Sequence, residues 1–322
     1  MTSKTLNKIM IVAAILFCVI FGVSVYIKNE RLRQLDEAYD KQMEEQRKNE
    51  NQSTFDDASQ TQKNNQANNG SNGSSESDID FTDFISVYSY AENKLNKITY
   101  IRSTATGTGT ISGSVTSPVK VNLSSQPITI SYERAKNKTQ KFFAYNVKGT
   151  ISAAGTSMPL NYWTSLYKQG ATCQERIAHG QDNPKWETIS NSGMQEKYGW
   201  DASETFHIIN KNSVTSSSMI YDTTSRTYIG KATLNVKNSA TRMAKLIKGL
   251  YDGTAPAQYQ SCEITVTFDE HGNFKTIQYQ EAFNISIRNE PNNATVSAKL
   301  TTDYVETFHT ISNTQGVDIS IF

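Results

Sequence analysis

Histidine is the side chain best suited to move protons or hold a transition metal near neutral pH, and the chain has four: His179, His207, His271 and His309. They are widely separated, and none has a second ligand type at the helical spacing that would bring two donors onto one face. They define no metal set and read as ordinary surface or core histidines. Ser117-Pro118-Val119-Lys120 matches Ser-x-x-Lys, in which a lysine assists a serine nucleophile, but neither Ser-Asp-Asn nor Lys-Thr-Gly follows it. No Gly-x-Ser-x-Gly elbow occurs. Gly107, Gly109 and Gly113 miss the dinucleotide-binding spacing and fall inside a strand pattern. Asp269 and Glu270 flank a turn sequence without the EF-hand pattern around them. The chain therefore reads as a non-enzyme with no catalytic residues, no metal site and no cofactor.

Three cysteines occur, and Cys18 lies within an apolar run, which leaves Cys173 and Cys262. These two form one disulfide outside the cytoplasm if their strands are neighbours, or stay apart as small buried hydrophobes. Charge excludes more than it proposes. With 32 basic and 31 acidic residues the formal net charge is +1, so no global field is available to hold nucleic acid.

The elements that must carry any site fall into five segments. Residues 1–8 are a short tail carrying Lys4 and Lys8, and residues 9–27 are an uncharged apolar run that as a helix matches the ~30 Å hydrocarbon core of a bilayer. The run is longer than a signal-peptide core and lacks a small-residue cleavage site, so it predicts a retained transmembrane anchor. Residues 28–48 are charged, with Leu32, Leu35 and Tyr39 at helical spacing, and predict a solvated stalk. Residues 49–78 are Asn, Ser, Gly and Gln-rich and predict a disordered linker. The basic residues Lys28, Arg31, Arg33 and Lys41 lean towards a cytoplasmic C-terminal part. The Ser, Thr, Asn and Tyr-rich strands beyond favour the opposite placement, and the expectation is a single-pass membrane protein with its domain extracytoplasmic.

Residues 79–322 form that domain. Phe81, Phe84, Ile85, Tyr88 and Leu95 predict an opening helix, after which the period changes to two. A long strand spans 98–115 with threonines and serines on one face and Gly107, Gly109 and Gly113 on the other, a pattern that marks a bend or a surface left open for close approach. Further alternation continues to Leu166, residues 179–218 read as long loops, and a helix is predicted from Asn238 to Asp252 with Gly253 as its stop. An antiparallel meander ends the chain, turning at Asp269-Glu270-His271-Gly272-Asn273 and again at Pro291-Asn292-Asn293, with a short last alternation at Val317, Ile319 and Ile321. The predicted class is α+β: a mostly antiparallel, strongly curved, half-barrel-like sheet covered by two helices, with an N-terminal transmembrane helix.

The order of opening helix, long strands, later helix and terminal meander, with the phrase TVTFDEHGNFKTIQYQE, resembles the LolA-like and LppX-like lipoprotein-carrier superfamily over residues 79–322. The resemblance implies an apolar, lipid-like ligand held between a curved sheet and its helices, or a protein-binding scaffold in the cell envelope. It lacks the lipobox of that family, because Ile15-Leu16-Phe17 precedes Cys18. The expected role is a membrane-anchored extracytoplasmic binding protein for an apolar ligand or peptide, lined by Gly107, Gly109, Tyr162, Trp163, Trp200, Met243 and Ile247. The alternative is a non-enzymatic scaffold with an envelope protein partner.

Overall fold

Eleven antiparallel strands and four short helices account for residues 79–319 in the computed structural model, which describes these residues apart from 117–120, 154–155, 180–183, 200, 203, 252, 254 and 290–293. All belong to the unit Ser74–Phe322. The tail, apolar run, stalk and linker expected over residues 1–78 lie outside the described residues, as do Ser117–Lys120 and the turn at Pro291–Asn293.

The first helix, α1 (Phe84–Lys97), forms where the periodicity places it. Asp83 caps it by accepting from the Ser86 N–H at 2.9 Å, Lys94 and Lys97 complement the dipole in the last turn, and Phe84, Val87, Tyr88, Ala91 and Leu95 form the buried stripe. The chain then runs as an antiparallel meander through β1 (Tyr100–Thr116), β2 (Val121–Lys136), β3 (Gln140–Ala153), β4 (Thr156–Gln169), β5 (Thr172–His179) and the short β6 (Glu187–Ile189). After α2 (Asn191–Lys197) it resumes at β7 (Val214–Asp222) and β8 (Thr227–Leu234), passes α3 (Val236–Ser239) and α4 (Thr241–Leu250), and closes with β9 (Gln258–Phe268), β10 (Phe274–Asn289) and β11 (Ala294–Ser312).

The strand order is β6-β5-β4-β3-β2-β1-β11-β10-β9-β8-β7, so the first and last strands pair at the centre while β6 and β7, consecutive in sequence, form the two edges. The connection 190–213 must therefore travel from one edge to the other, and it does so across the inner face. Phe206, on that connection, packs edge-on against Tyr132, Phe143 and Tyr279 of β2, β3 and β10. Residues of β2, β3, β10 and β11 all line one small void with Phe206, so the sheet curls around it.

These observations correct the expected class. One eleven-stranded antiparallel sheet dominates and the helices are four short segments, so the α+β description does not hold. Among the described residues no helix is long and apolar enough to cross a membrane, and the transmembrane helix expected over residues 9–27 lies outside them. That search is silent about β-barrels. The helix expected from Asn238 to Asp252 is found as α4 (Thr241–Leu250), with Ala240 as its N-cap, and Ala240, at φ −90° and ψ 4°, separates it from the four-residue α3 before it. The expected loop region 179–218 contains β6, α2 and the start of β7. Val317 and Ile319 pack as buried residues against Ala135 and Tyr167 without forming a strand.

Candidate functional site

The expected ligand space lies between α4 and the sheet, and it is filled. Met243, Ile247 and Leu250 of α4 meet Phe206, Ile130, Phe143, Phe283 and Tyr304 around a void of about 10 Å³. That is room for about one water, against several hundred Å³ for a drug-sized ligand. Tyr162 is buried here too, stacked on Tyr251 with centroids 5.1 Å apart, while Tyr251 meets the Tyr145 hydroxyl at 3.1 Å. Burial pushes the Tyr251 phenol up to about 12.

The other expected lining residues are not brought together. Trp163 follows Tyr162 in β4 and so takes the opposite face, where its ring and Trp186 sandwich the Arg176 guanidinium at 4.7 and 4.6 Å. Trp200 lies outside the described residues. Gly107 and Gly109 do serve a close approach, but the approaching group is β11. A side chain at Gly107 would collide with the Asp303 carbonyl oxygen and the Tyr304 Cβ, and one at Gly109 with the Thr301 carbonyl oxygen. Cys173 and Cys262 are free buried thiols on β5 and β9, strands with six others between them, so of the two alternatives the buried thiols hold and no bridge forms.

The inner face carries polar groups that periodicity did not reveal. Glu281 on β10 is directly opposite Cys262 on β9 and Thr302 on β11, and all three are buried. His207 descends from the crossing connection to place Nε2 at 2.6 Å from Glu281 Oε1 and 3.6 Å from Cys262 Sγ. Tyr304 donates to Glu281 Oε2 at 3.1 Å and Thr302 donates to the same oxygen at 3.4 Å. Burial, followed by the Glu281 and Glu263 charges, pushes the Cys262 thiol well up, which disfavours the free thiolate. The sequence contained a usable signal for two of these residues. The turn Asp269–Asn273 fixes the hairpin register, which sets Glu281 opposite Cys262, and Glu281 interrupts the apolar series Ile277, Tyr279, Phe283 and Ile285. His207, in an aperiodic segment, gave none.

A second constellation, Arg134, Ser103 and Glu306, is also fully buried. Arg134 Nη2 is 2.7 Å from Glu306 Oε1, Arg134 Nε donates to Ser103 Oγ at 3.0 Å, and Nη1 donates to the Glu204 carbonyl at 2.6 Å. It ties β1, β2 and β11 to the crossing connection.

Two surface features remain. The outer face has an open trough of about 430 Å³ along β1, β11, β10 and β9, lined by Thr108, Thr110, Glu263, Gln280, Thr301 and Asp303. Its Asp303 carboxylate accepts from Gln278 and Gln280 at 2.8 and 2.9 Å. The β7 edge pairs with β8 alone among the described residues, and past a bulge at Val214–Ser216 it carries Ile220 and Tyr221, 60% and 46% exposed.

No family model and no curated protein matches the chain. Among solved structures, the outer membrane protein OprG from Pseudomonas aeruginosa matches at 7% identity and a TM-score of 0.20, over 66% of this chain and 96% of that one. A β-barrel-like protein of domain of unknown function DUF1849 from Brucella abortus matches at 6% identity and a TM-score of 0.14, over 66% and 100%. At such scores neither likeness bears on fold or function. The sheet itself is compatible with a binding role and names no ligand.

Proposed function

We propose that this chain is a non-catalytic, protein-binding scaffold that engages an extended segment of its partner at the β7 edge. The observation that carries this reading is the contrast between a filled interior and an open sheet edge that exposes Ile220 and Tyr221. An unpaired edge presents a row of free N–H and C=O groups, and soluble proteins ordinarily blunt such edges with lysine or proline. Strand β7, Val-Thr-Ser-Ser-Ser-Met-Ile-Tyr-Asp, contains neither. An added strand would complete the ladder through its main chain, while Ile220 on one face and Tyr221 on the other would supply side-chain contacts. The Ser, Thr and Asn-rich strands support a placement outside the cytoplasm, where the partner would be an envelope protein.

A photo-crosslinking residue in place of Ser218 in the full chain, irradiated in cells, is expected to give one discrete adduct. Ile220→Lys with Tyr221→Lys should abolish it, and Gln280→Arg in the outer trough should not. No adduct, or one indifferent to the edge substitutions, overturns the reading.

The trough supports a second reading, a polar or cationic ligand held by Asp303 and Glu263. Binding lost in Asp303→Asn and retained in the β7 double variant would favour it.

A further inference from the structure

We propose that His207, Cys262 and Glu281 form a buried three-ligand site for zinc or a similar borderline-soft divalent transition metal. The three supply one nitrogen, one sulfur and one oxygen donor, a set that suits such an ion and not calcium or magnesium. Zinc–ligand distances of roughly 2.0–2.3 Å in a tetrahedral arrangement put donor atoms about 3.3–3.6 Å apart. Cys262 Sγ to His207 Nε2 is 3.6 Å and Sγ to Glu281 Oε1 is 4.0 Å. The 2.6 Å between Nε2 and Oε1 is a hydrogen bond that an ion would replace, and it needs to open by about 0.7 Å to reach that spacing.

Charge makes the case stronger. A thiolate, a carboxylate and a neutral imidazole around a divalent cation sum to zero, which removes the penalty for burying the two acids unpaired. The surroundings are those of a ligand set held in place. Tyr304 and Thr302 both donate to Glu281 Oε2 and so leave Oε1 to face the other two donors. Cys262 and Glu281 are cross-strand neighbours on the regular part of β9 and β10, before the irregularity at Ala282/Phe283. His207 comes from the connection between the two sheet edges, so the ion would clasp that connection to the sheet.

The bland reading of the same atoms is a buried His207–Glu281 pair beside a thiol. To separate the two, the full chain is unfolded, refolded with one equivalent of zinc or cobalt, and freed of loose metal by gel filtration. The expected result is one ion per chain, a cobalt spectrum with thiolate charge-transfer and tetrahedral bands, and a higher melting temperature with zinc than with chelator. Cys173→Ser should behave as the parent, whereas Cys262→Ser and His207→Gln should each weaken binding by more than about tenfold, at least the loss seen when a supporting residue around a metal is removed. Glu281→Gln, which keeps the shape, serves where another variant fails to fold. A refolded parent that carries no metal, or zinc held equally well by Cys262→Ser and His207→Gln, overturns the proposal.

Discussion

Arg134 on β2 and Glu306 on β11 form an ion pair across the intervening strand β1, 2.7 Å apart and both without solvent exposure. Such a pair is a poor source of net stability, since each charge has lost its water, but removing one partner leaves the other buried and uncompensated. Glu306→Gln is expected to destabilise the fold by about 3–5 kcal/mol. Arg134→Met combined with Glu306→Leu should recover a good part of that loss, as read from denaturant midpoints.

A methyl group at Gly107 or Gly109 meets the β11 backbone, which cannot withdraw without breaking the central pairing. Gly107→Ala and Gly109→Ala are each expected to cost about 1–3 kcal/mol. Gly316→Ala, at a position with open space around it, should stay within about 0.5 kcal/mol of the parent. Thermal unfolding of the three variants checks the contrast.

The filled space beneath α4 gives a third test. Ile247→Trp should overpack the cluster of Phe206, Met243 and Leu250 and destabilise by about 1–3 kcal/mol, and the parent should bind no lipophilic dye. Dye binding by the parent that the substitution abolishes without loss of stability would restore the apolar-carrier role.

Burial raises the phenols of Tyr132, Tyr145, Tyr259, Tyr279 and Tyr304 well above their ordinary value, and that of Tyr251 to about 12. A group whose folded value lies above its unfolded one stabilises fully below the unfolded value and loses that contribution as pH rises towards the folded one. Stability should therefore fall from about pH 10 upwards. Phenolate absorbance should appear together with the loss of tertiary structure. Ionisation of these tyrosines in a still-folded chain would contradict the burial.

Much of the scaffold was legible because its signals are local. The stripe Phe84, Tyr88, Leu95 announced α1, and the Asp269–Asn273 turn, with its Asp269 side chain accepting from the His271 and Asn273 N–H groups, announced the β9–β10 hairpin. The candidate metal cluster was not, because His207 lies 55 residues from Cys262 and 74 from Glu281 and reaches them only by crossing the sheet. The expected ligand space failed for the same reason. Met243 and Ile247 do face inward, but Phe206, from a segment with no periodicity, occupies the room in front of them. The apolar spacing that announced α4 begins at Ala240, so it gave no sign of the separate turn α3 that precedes it.

The pairing of β1 with β11 also orders events in time. Arg134, Ser103 and Glu306 join residues up to 203 positions apart, and β1 can form its ladder with β11 only after the last strand has left the ribosome. Until then β1 is an open edge on a growing half-sheet, pairing with β2 alone, and its threonine-rich face and bare backbone are exposed to other nascent chains. Closing so distant a contact carries a high loop entropy and makes folding slow relative to a sheet built from successive hairpins. Synthesis is thus the interval in which this protein most needs a chaperone, and a chain cut short before Ala294 would keep that edge permanently open.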